Sequence, residues 1–197
     1  DSSTTVTTNA TVDVSTRGGT TAYSSSTVTL SNTVNAVNDA PVASGSATLT
    51  AIDEDTTNPS GATVSSLFSS NFSDSTDTVS GGSSANTLAG IAITSYTRDA
   101  TKGEWQYSTN GSSWTTISSS ISAASSSLTF KSTDYLRFLP AANWNGSAPT
   151  LTVALIDSST TVTTNATVDV STRGGTTAYS SSTVTLSNTV NAVNDAP

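Results

Sequence analysis

The sequence contains no cysteine, no histidine and no methionine. Without thiols or imidazoles there is no disulfide framework, no Cys nucleophile, no Ser-His-Asp triad and no zinc site built from the usual ligands. Oxygen atoms are the only ligands left for a metal ion. Charge is also sparse: six basic residues stand against 14 acidic ones, a formal net charge of −8, and only two of the acids are Glu. That imbalance argues against nucleic acid and anionic membranes as partners and is compatible with cations. Long apolar runs are missing too. The longest, Leu88 to Ile93, includes Gly90 and falls far short of the roughly 20 residues that span a bilayer. The chain opens at Asp1, with no charged-then-apolar leader, and is therefore expected to be an excised or processed piece of a longer protein. A chain without Cys fits an extracellular or secreted bacterial protein, as it also fits many cytosolic ones.

What is present is hydroxyl. The 39 Ser and 40 Thr make about two residues in five, whereas Val, Ile, Leu and Phe together number 36 of 197. So lean a supply of large apolar residues approaches the level of disordered chains. Here, however, the apolar residues alternate with Ser and Thr, which predicts a Thr-rich β protein.

Residues 1–41 recur letter for letter as residues 157–197, an offset of 156. Identity over that length marks a tandem array. Both copies close on Val-Asn-Asp-Ala-Pro, and Pro41 is the most linker-like junction, so the repeat is framed as 42–197, a 156-residue unit, with 1–41 the C-terminal fragment of the preceding repeat. A catalytic or receptor-binding domain needs to occur once, whereas a spacer gains length by copying itself; the alternative is a recent duplication without functional meaning.

Period-two alternation in several stretches, and an apolar run at 151–156, predict strands over 46–52, 88–96, 104–108, 113–117, 128–130, 135–139, 151–156 and 183–193. No stretch carries a convincing helical period. Asn110-Gly111 predicts a type I′ hairpin, and Val64, Leu67, Phe68 and Phe72 form an apolar group after a turn at Asn58, Pro59 and Gly61. In the last strand Val184, Leu186 and Val190 share a face while Val193 falls out of phase, which suggests a bulge. Eight to ten short strands predict an all-β sandwich, Ig-like or cadherin-like, whose strand order the alternation leaves open.

The stretch Leu136-Arg137-Phe138-Leu139-Pro140-Ala141-Ala142-Asn143-Trp144-Asn145-Gly146, an apolar strand ending in Asp157 and the closing Val193-Asn194-Asp195-Ala196-Pro197 together resemble bacterial cadherin-like repeats. The resemblance covers most of 42–197. It implies an extender module of the giant RTX adhesins exported by type I secretion, with calcium stiffening the junctions between modules. The period exceeds the roughly 100 residues of an ordinary Ig-type sandwich. The surplus falls in a Thr-rich insertion at 157–182 that contains Arg173-Gly174-Gly175.

Strand direction assigns the acids that could share such an ion. A strand leaving Pro41 at a near pole reaches Glu54 about 33 Å away, at about 3.3 Å per residue. A returning strand delivers Asp74 and Asp77 to the near pole, and the strand ending at Asp157 arrives there antiparallel to the last one. Two clusters are expected: Asn38, Asp39, Asp74, Asp77 and Asp157 at the near pole, and Glu54, Asp55, Asn194 and Asp195 at the far pole, with Asp53 pointing away from Glu54. They are complementary halves of one junction. Calcium takes six to eight oxygen ligands, and in extracellular modules its dissociation constant is on the order of 0.1–1 mM.

Other constellations have blander readings. Trp105, Tyr107, Trp114, Trp144 and Tyr96 could make a sugar-stacking platform but are expected in the core. Asp99, Glu104 and Asp134 could act as paired carboxylates, although no pocket motif accompanies them. Arg137 beside Asp134 suggests a surface ion pair. The sequence therefore points to a non-catalytic, calcium-rigidified spacer on a bacterial surface, flanked by neighbouring repeats of the same chain, without nucleic acid or membrane insertion. The alternative is a carbohydrate- or cell-surface-binding module. Residues 1–41 lack an equivalent of the strand 151–156 and cannot complete a sandwich alone, so the expectation is either loose attachment or segment exchange between chains.

Overall fold

The structure is a computed structural model that describes residues 4–195, and the chain divides into two compact units, Asp1–Asn35 and Ala36–Pro197. In the second unit the chain runs through β1 (Val42–Ala43), β2 (Ser46–Thr48), β3 (Ile52–Asp53), β4 (Ala62–Thr63), helix α1 (Val64–Phe68) and β5 (Phe72–Ser73). It continues through β6 (Leu88–Tyr96), β7 (Gly103–Ser108), β8 (Thr115–Thr116), β9 (Ser127–Lys131) and β10 (Tyr135–Pro140). It ends with β11 (Gly146–Ser147), β12 (Leu151–Asp157), β13 (Ala166–Val168), β14 (Tyr179–Ser187) and β15 (Thr189–Asn191).

A six-stranded sheet in the order β13-β9-β6-β12-β14-β2 faces a four-stranded sheet in the order β4-β10-β7-β8. One core joins their inner faces. Ile91, Ile93, Phe130, Val153, Leu155, Val184 and Leu186 come from the first sheet and Trp105, Leu136 and Phe138 from the second. This is the all-β sandwich that the alternation predicts. Two small ladders complete it: β1 pairs with β5, and β15 lies between β11 and β3. β14 runs parallel to β2 and β15 parallel to β3, so the first and last strands of the unit end at the same pole.

The insertion at 157–182 has a structural task. Strand β12 reads Leu-Thr-Val-Ala-Leu-Ile-Asp and is buried on both faces, unlike a strand with one wet face. Its inner residues Leu151, Val153 and Leu155 enter the main core, while Ile156, with Ala92 of β6, meets Val162 and Val170 of the insertion in a second, smaller cluster. The insertion also adds β13 to the sheet edge beside β9. It thus roofs the outer face of the six-stranded sheet.

Four local features differ from the alternation reading. Val64, Leu67 and Phe68 sit on α1 at helical spacing, and the hydroxyl of Thr63 accepts a bond from the N–H of Ser66 at 3.1 Å to cap it. Around Asn110-Gly111 the strands pair as Gln106↔Thr116 and Tyr107↔Thr115, leaving a wider loop in place of a two-residue type I′ turn. Only Gly111 has positive φ there, at 73°, while the side-chain Oδ1 of Asn110 accepts the N–H groups of Ser112 and Ser113, each at 2.9 Å. The last strand breaks at Asn188, where the chain leaves the six-stranded sheet and β15 joins β3 and β11. Buried Asn188 donates from Nδ2 to the carbonyls of Thr50 at 2.9 Å and Leu49 at 3.3 Å. Arg137 is not paired with Asp134. Its guanidinium is buried over Trp114, 4.2 Å from the ring centroid, and donates to Gln106 Oε1, Asn58 Oδ1 and the carbonyl of Pro59.

The first unit, described from residue 4, has neither helix nor strand. Its order is local. The N–H of Gly18 donates to the carbonyl of Tyr23 at 2.9 Å, and the carboxylate of Asp13 accepts from the N–H of Ser15 at 2.9 Å.

Candidate functional site

The near pole of the second unit is built where three stretches converge: the entering residues 36–41, the segment that follows β5, and the end of β12. Asp74, Asp77 and Asp157 are all buried there. The N–H of Asp39 donates to Asp77 Oδ1 at 2.8 Å. Asn38 Nδ2 donates to Asp157 Oδ2 at 3.3 Å and to the carbonyl of Thr177 at 3.2 Å. The N–H of Ala40 donates to the carbonyl of Gly175 at 2.7 Å, so the insertion also grips the entering segment. All five residues expected at this pole are brought together.

Asn86 is the member that the sequence reading missed. Its N–H donates to Asp74 Oδ2 at 2.6 Å, and its amide donates to Asn38 Oδ1 at 2.8 Å and to Asp77 Oδ2 at 3.1 Å. Its own Oδ1 accepts from the hydroxyl of Ser158 at 3.1 Å. The residue lies in a Ser- and Gly-rich loop without alternation, and a single Asn before a strand gives no signal that distinguishes it from a turn former.

Asp74 carries the electrostatic strain of the pole. Its Oδ1 is buried without a hydrogen-bond partner. Burial lifts its carboxyl above the ordinary carboxylate value, the N–H of Asn86 opposes that rise, and the charges of Asp77 and Asp157 add to it.

The far pole is organised differently. Glu54, buried at the end of β3, accepts from the N–H of Val193 at 2.8 Å and from Asn145 Nδ2 at 3.0 Å, so both of its oxygens are engaged. Asp55 adopts a left-handed conformation with φ 65° and accepts from the N–H of Asn143 at 2.9 Å. Asp53 is bound to Asn191. Asn194 and Asp195 are exposed just beyond Val193, where the Asn194 amide donates to the Asp195 carbonyl. Here the acids cap backbone, and Glu54 ties the exit of the unit to its β3 end. Asp1, the copy of Asp157, lies outside the described residues.

The donors at the near pole are all oxygens: carboxylates, the Oδ1 atoms of Asn38 and Asn86, and nearby carbonyls. With a buried unpartnered carboxylate oxygen among them, this set suits a hard cation such as calcium. Its carboxylates are interleaved with the two amides, and among the described residues no three His, Cys, Asp or Glu side chains form a ready ligand group.

The remaining candidates lie apart from this pole. Trp105 is wholly buried, with its indole N–H on the carbonyl of Pro149 at 2.6 Å and its ring edge-on to Phe138. Trp144 packs on Phe138 and Trp114 under Arg137. Glu104 pairs with Arg98, Asp99 with Lys102 and Thr101, and Asp134 with the N–H of Lys131 and the hydroxyl of Thr164. Comparison with family models, curated proteins and solved structures finds no match.

Proposed function

We propose that the second unit is a non-catalytic extender module of a bacterial surface adhesin, repeated head to tail outside the cell and made rigid at its junctions by calcium. The observation that supports this reading is the near pole. Residues Asn38 and Asp39, whose identical copies Asn194 and Asp195 leave the far pole, are bonded to buried Asp157 and Asp77. Each junction of an array would repeat that contact.

Asp74, Asp77 and Asp157 would hold the ion together with Asn38 and Asn86. Bound calcium supplies positive charge that relieves the repulsion among the three carboxylates. Asn38 and Asp39 orient the entering segment, Asn86 spaces the carboxylates, and the insertion fixes the segment through the Gly175 carbonyl. With a dissociation constant on the order of 0.1–1 mM, such sites are mostly filled in a calcium-rich medium and empty in a cytosol.

Small-angle scattering from a chain carrying two complete copies of 42–197, titrated with calcium and then chelator, tests the reading. The expected result is a maximum dimension that grows to that of a rod with calcium and shrinks with chelator. A shape and melting temperature indifferent to calcium would reject it.

A further inference from the structure

Arg137 is a buried cation to which the protein supplies no anion. It stands on β10 between Leu136 and Phe138, both in the core, so it points to the outer face of the four-stranded sheet, yet it is only 6% exposed. Trp114 covers one side of its guanidinium, and Gly61 makes room for that indole: a Cβ on Gly61 would stand 2.2 Å from Cη2 of Trp114. Three neutral acceptors fix the orientation of the group. Nε donates to Gln106 Oε1 at 2.8 Å, and Nη1 donates to Asn58 Oδ1 at 2.7 Å and to the Pro59 carbonyl at 3.0 Å. Nη2 has no partner among the described residues and is not sealed from solvent. The two ion pairs among the described residues, Arg98 with Glu104 and Lys102 with Asp99, leave Arg137 out. Burial lowers its pKa and no neighbouring carboxylate opposes that fall. A buried charge without a counter-ion is costly to the fold, and an anion arriving at Nη2 would offset that cost.

We propose that Nη2 of Arg137 anchors a binding site for a carboxylate-bearing sugar. The charge of the ligand follows from the whole chain. At a formal net charge of −8 the protein repels anions, and a singly charged carboxylate is repelled less than a doubly charged phosphate. The sugar follows from the neighbours of the guanidinium. Of the tryptophans, Trp105 is core, whereas Trp114 stands outside both core clusters and is half-buried, leaving apolar surface for the C–H groups of a sugar ring. The Gln106 amide, which donates to the Thr116 hydroxyl at 3.3 Å, and that hydroxyl itself offer donors and acceptors for ring hydroxyls. Because Gln106, Asn58 and Pro59 already hold the guanidinium in place, binding orders little that folding has not. The site involves neither pole, and the inference rests on neither calcium nor the extender reading.

Titration of the full chain with sodium glucuronate, followed by nitrogen–proton NMR, tests the inference, with glucose, sodium acetate, inorganic phosphate and a short peptide with a free C-terminal carboxylate as comparison probes. Glucuronate should shift the signals of Arg137 Nε–H, the Trp114 indole N–H and the Gln106 side-chain amide and saturate at millimolar concentration. Glucose should leave them in place, and the other three probes should bind more weakly. Gln106→Glu sets a carboxylate beside Nε and so supplies the counter-ion from within. It should melt no lower than the parent and bind glucuronate about tenfold or more weakly, the loss expected for a hydrogen bond to a charged group. The inference is overturned if glucuronate leaves these signals unmoved or if glucose moves them equally. It is also overturned if acetate, phosphate or the peptide binds as tightly as glucuronate, or if Gln106→Glu melts below the parent or binds glucuronate equally well.

Discussion

Asp74 shows how burial and charge combine at one side chain. Both raise its carboxyl above the ordinary value, so the folded protein holds a proton there more readily than the unfolded chain does. The sign follows directly. Stability from this group is fully present below the unfolded carboxylate value of about 3.9 and is lost as pH rises through the higher folded value. In chelator, the melting temperature of the parent should therefore gain from this group as pH falls from neutrality toward that window. Asp74→Asn should remove this gain and raise the metal-free melting temperature at pH 7, and under the proposed function it should also reduce the rise that calcium would produce; calorimetry with and without the ion reads both effects. The residues of the near pole were legible because strand polarity alone places Asp74, Asp77 and Asp157 at one end. Asn86 was not, since its role is fixed by three contacts distant in sequence. Arg137 misled for a related reason: nearness in sequence suggested Asp134, whereas the cross-strand neighbour Gln106 and the loop at Asn58 supply its partners.

Secondary-structure elements inherit their identity from what lies on each face. β12 is apolar at consecutive positions from Val153 to Ile156 because the main core covers one face and Val162 and Val170 cover the other. β6 must approach its neighbour closely, and Gly90 makes that possible: a Cβ there would stand 2.2 Å from the carbonyl oxygen of Phe130. Gly90→Ala should cost at least about 1–3 kcal/mol, because backbone must shift to admit the methyl group; urea unfolding followed by fluorescence of the buried Trp105 measures it. The long strands β7, β10 and β14 were legible from period two, and β6 and β12 from their short apolar runs. The five-residue helix α1 was not, because three apolar residues over little more than one turn fit either period. The hairpin after β7 was misread because Asn110 uses its side chain to close the loop, and an Asn-Gly pair does not reveal which of its atoms will do so.

Across the whole molecule the repeated segment separates local from tertiary causes. Leu30 and Leu186 are the same residue in the same local sequence, yet Leu186→Ala should cost about 2–5 kcal/mol, as expected for a buried leucine, whereas Leu30→Ala should stay within about 0.5 kcal/mol. Denaturant titration of both variants compares them directly. What the sequence by itself determined is what recurs in both copies. Asn9 and Asn165 both have φ 56°, Gly18 and Gly174 have φ 77° and 78°, Asp13 and Asp169 accept from the N–H two residues on, and Asn38 and Asn194 each donate to the next residue's carbonyl. These are turns whose donors and acceptors lie within a few residues, so the chain satisfies them wherever it is. What only the tertiary structure decided is the strands. β13, β14 and β15 exist in the second unit because β9, β12, β2, β11 and β3 supply the partners of their backbone groups and the apolar surface against which Val184 and Leu186 are buried. A β-strand contains neither of these within itself: its hydrogen bonds run to other strands and its stabilising burial comes from other residues.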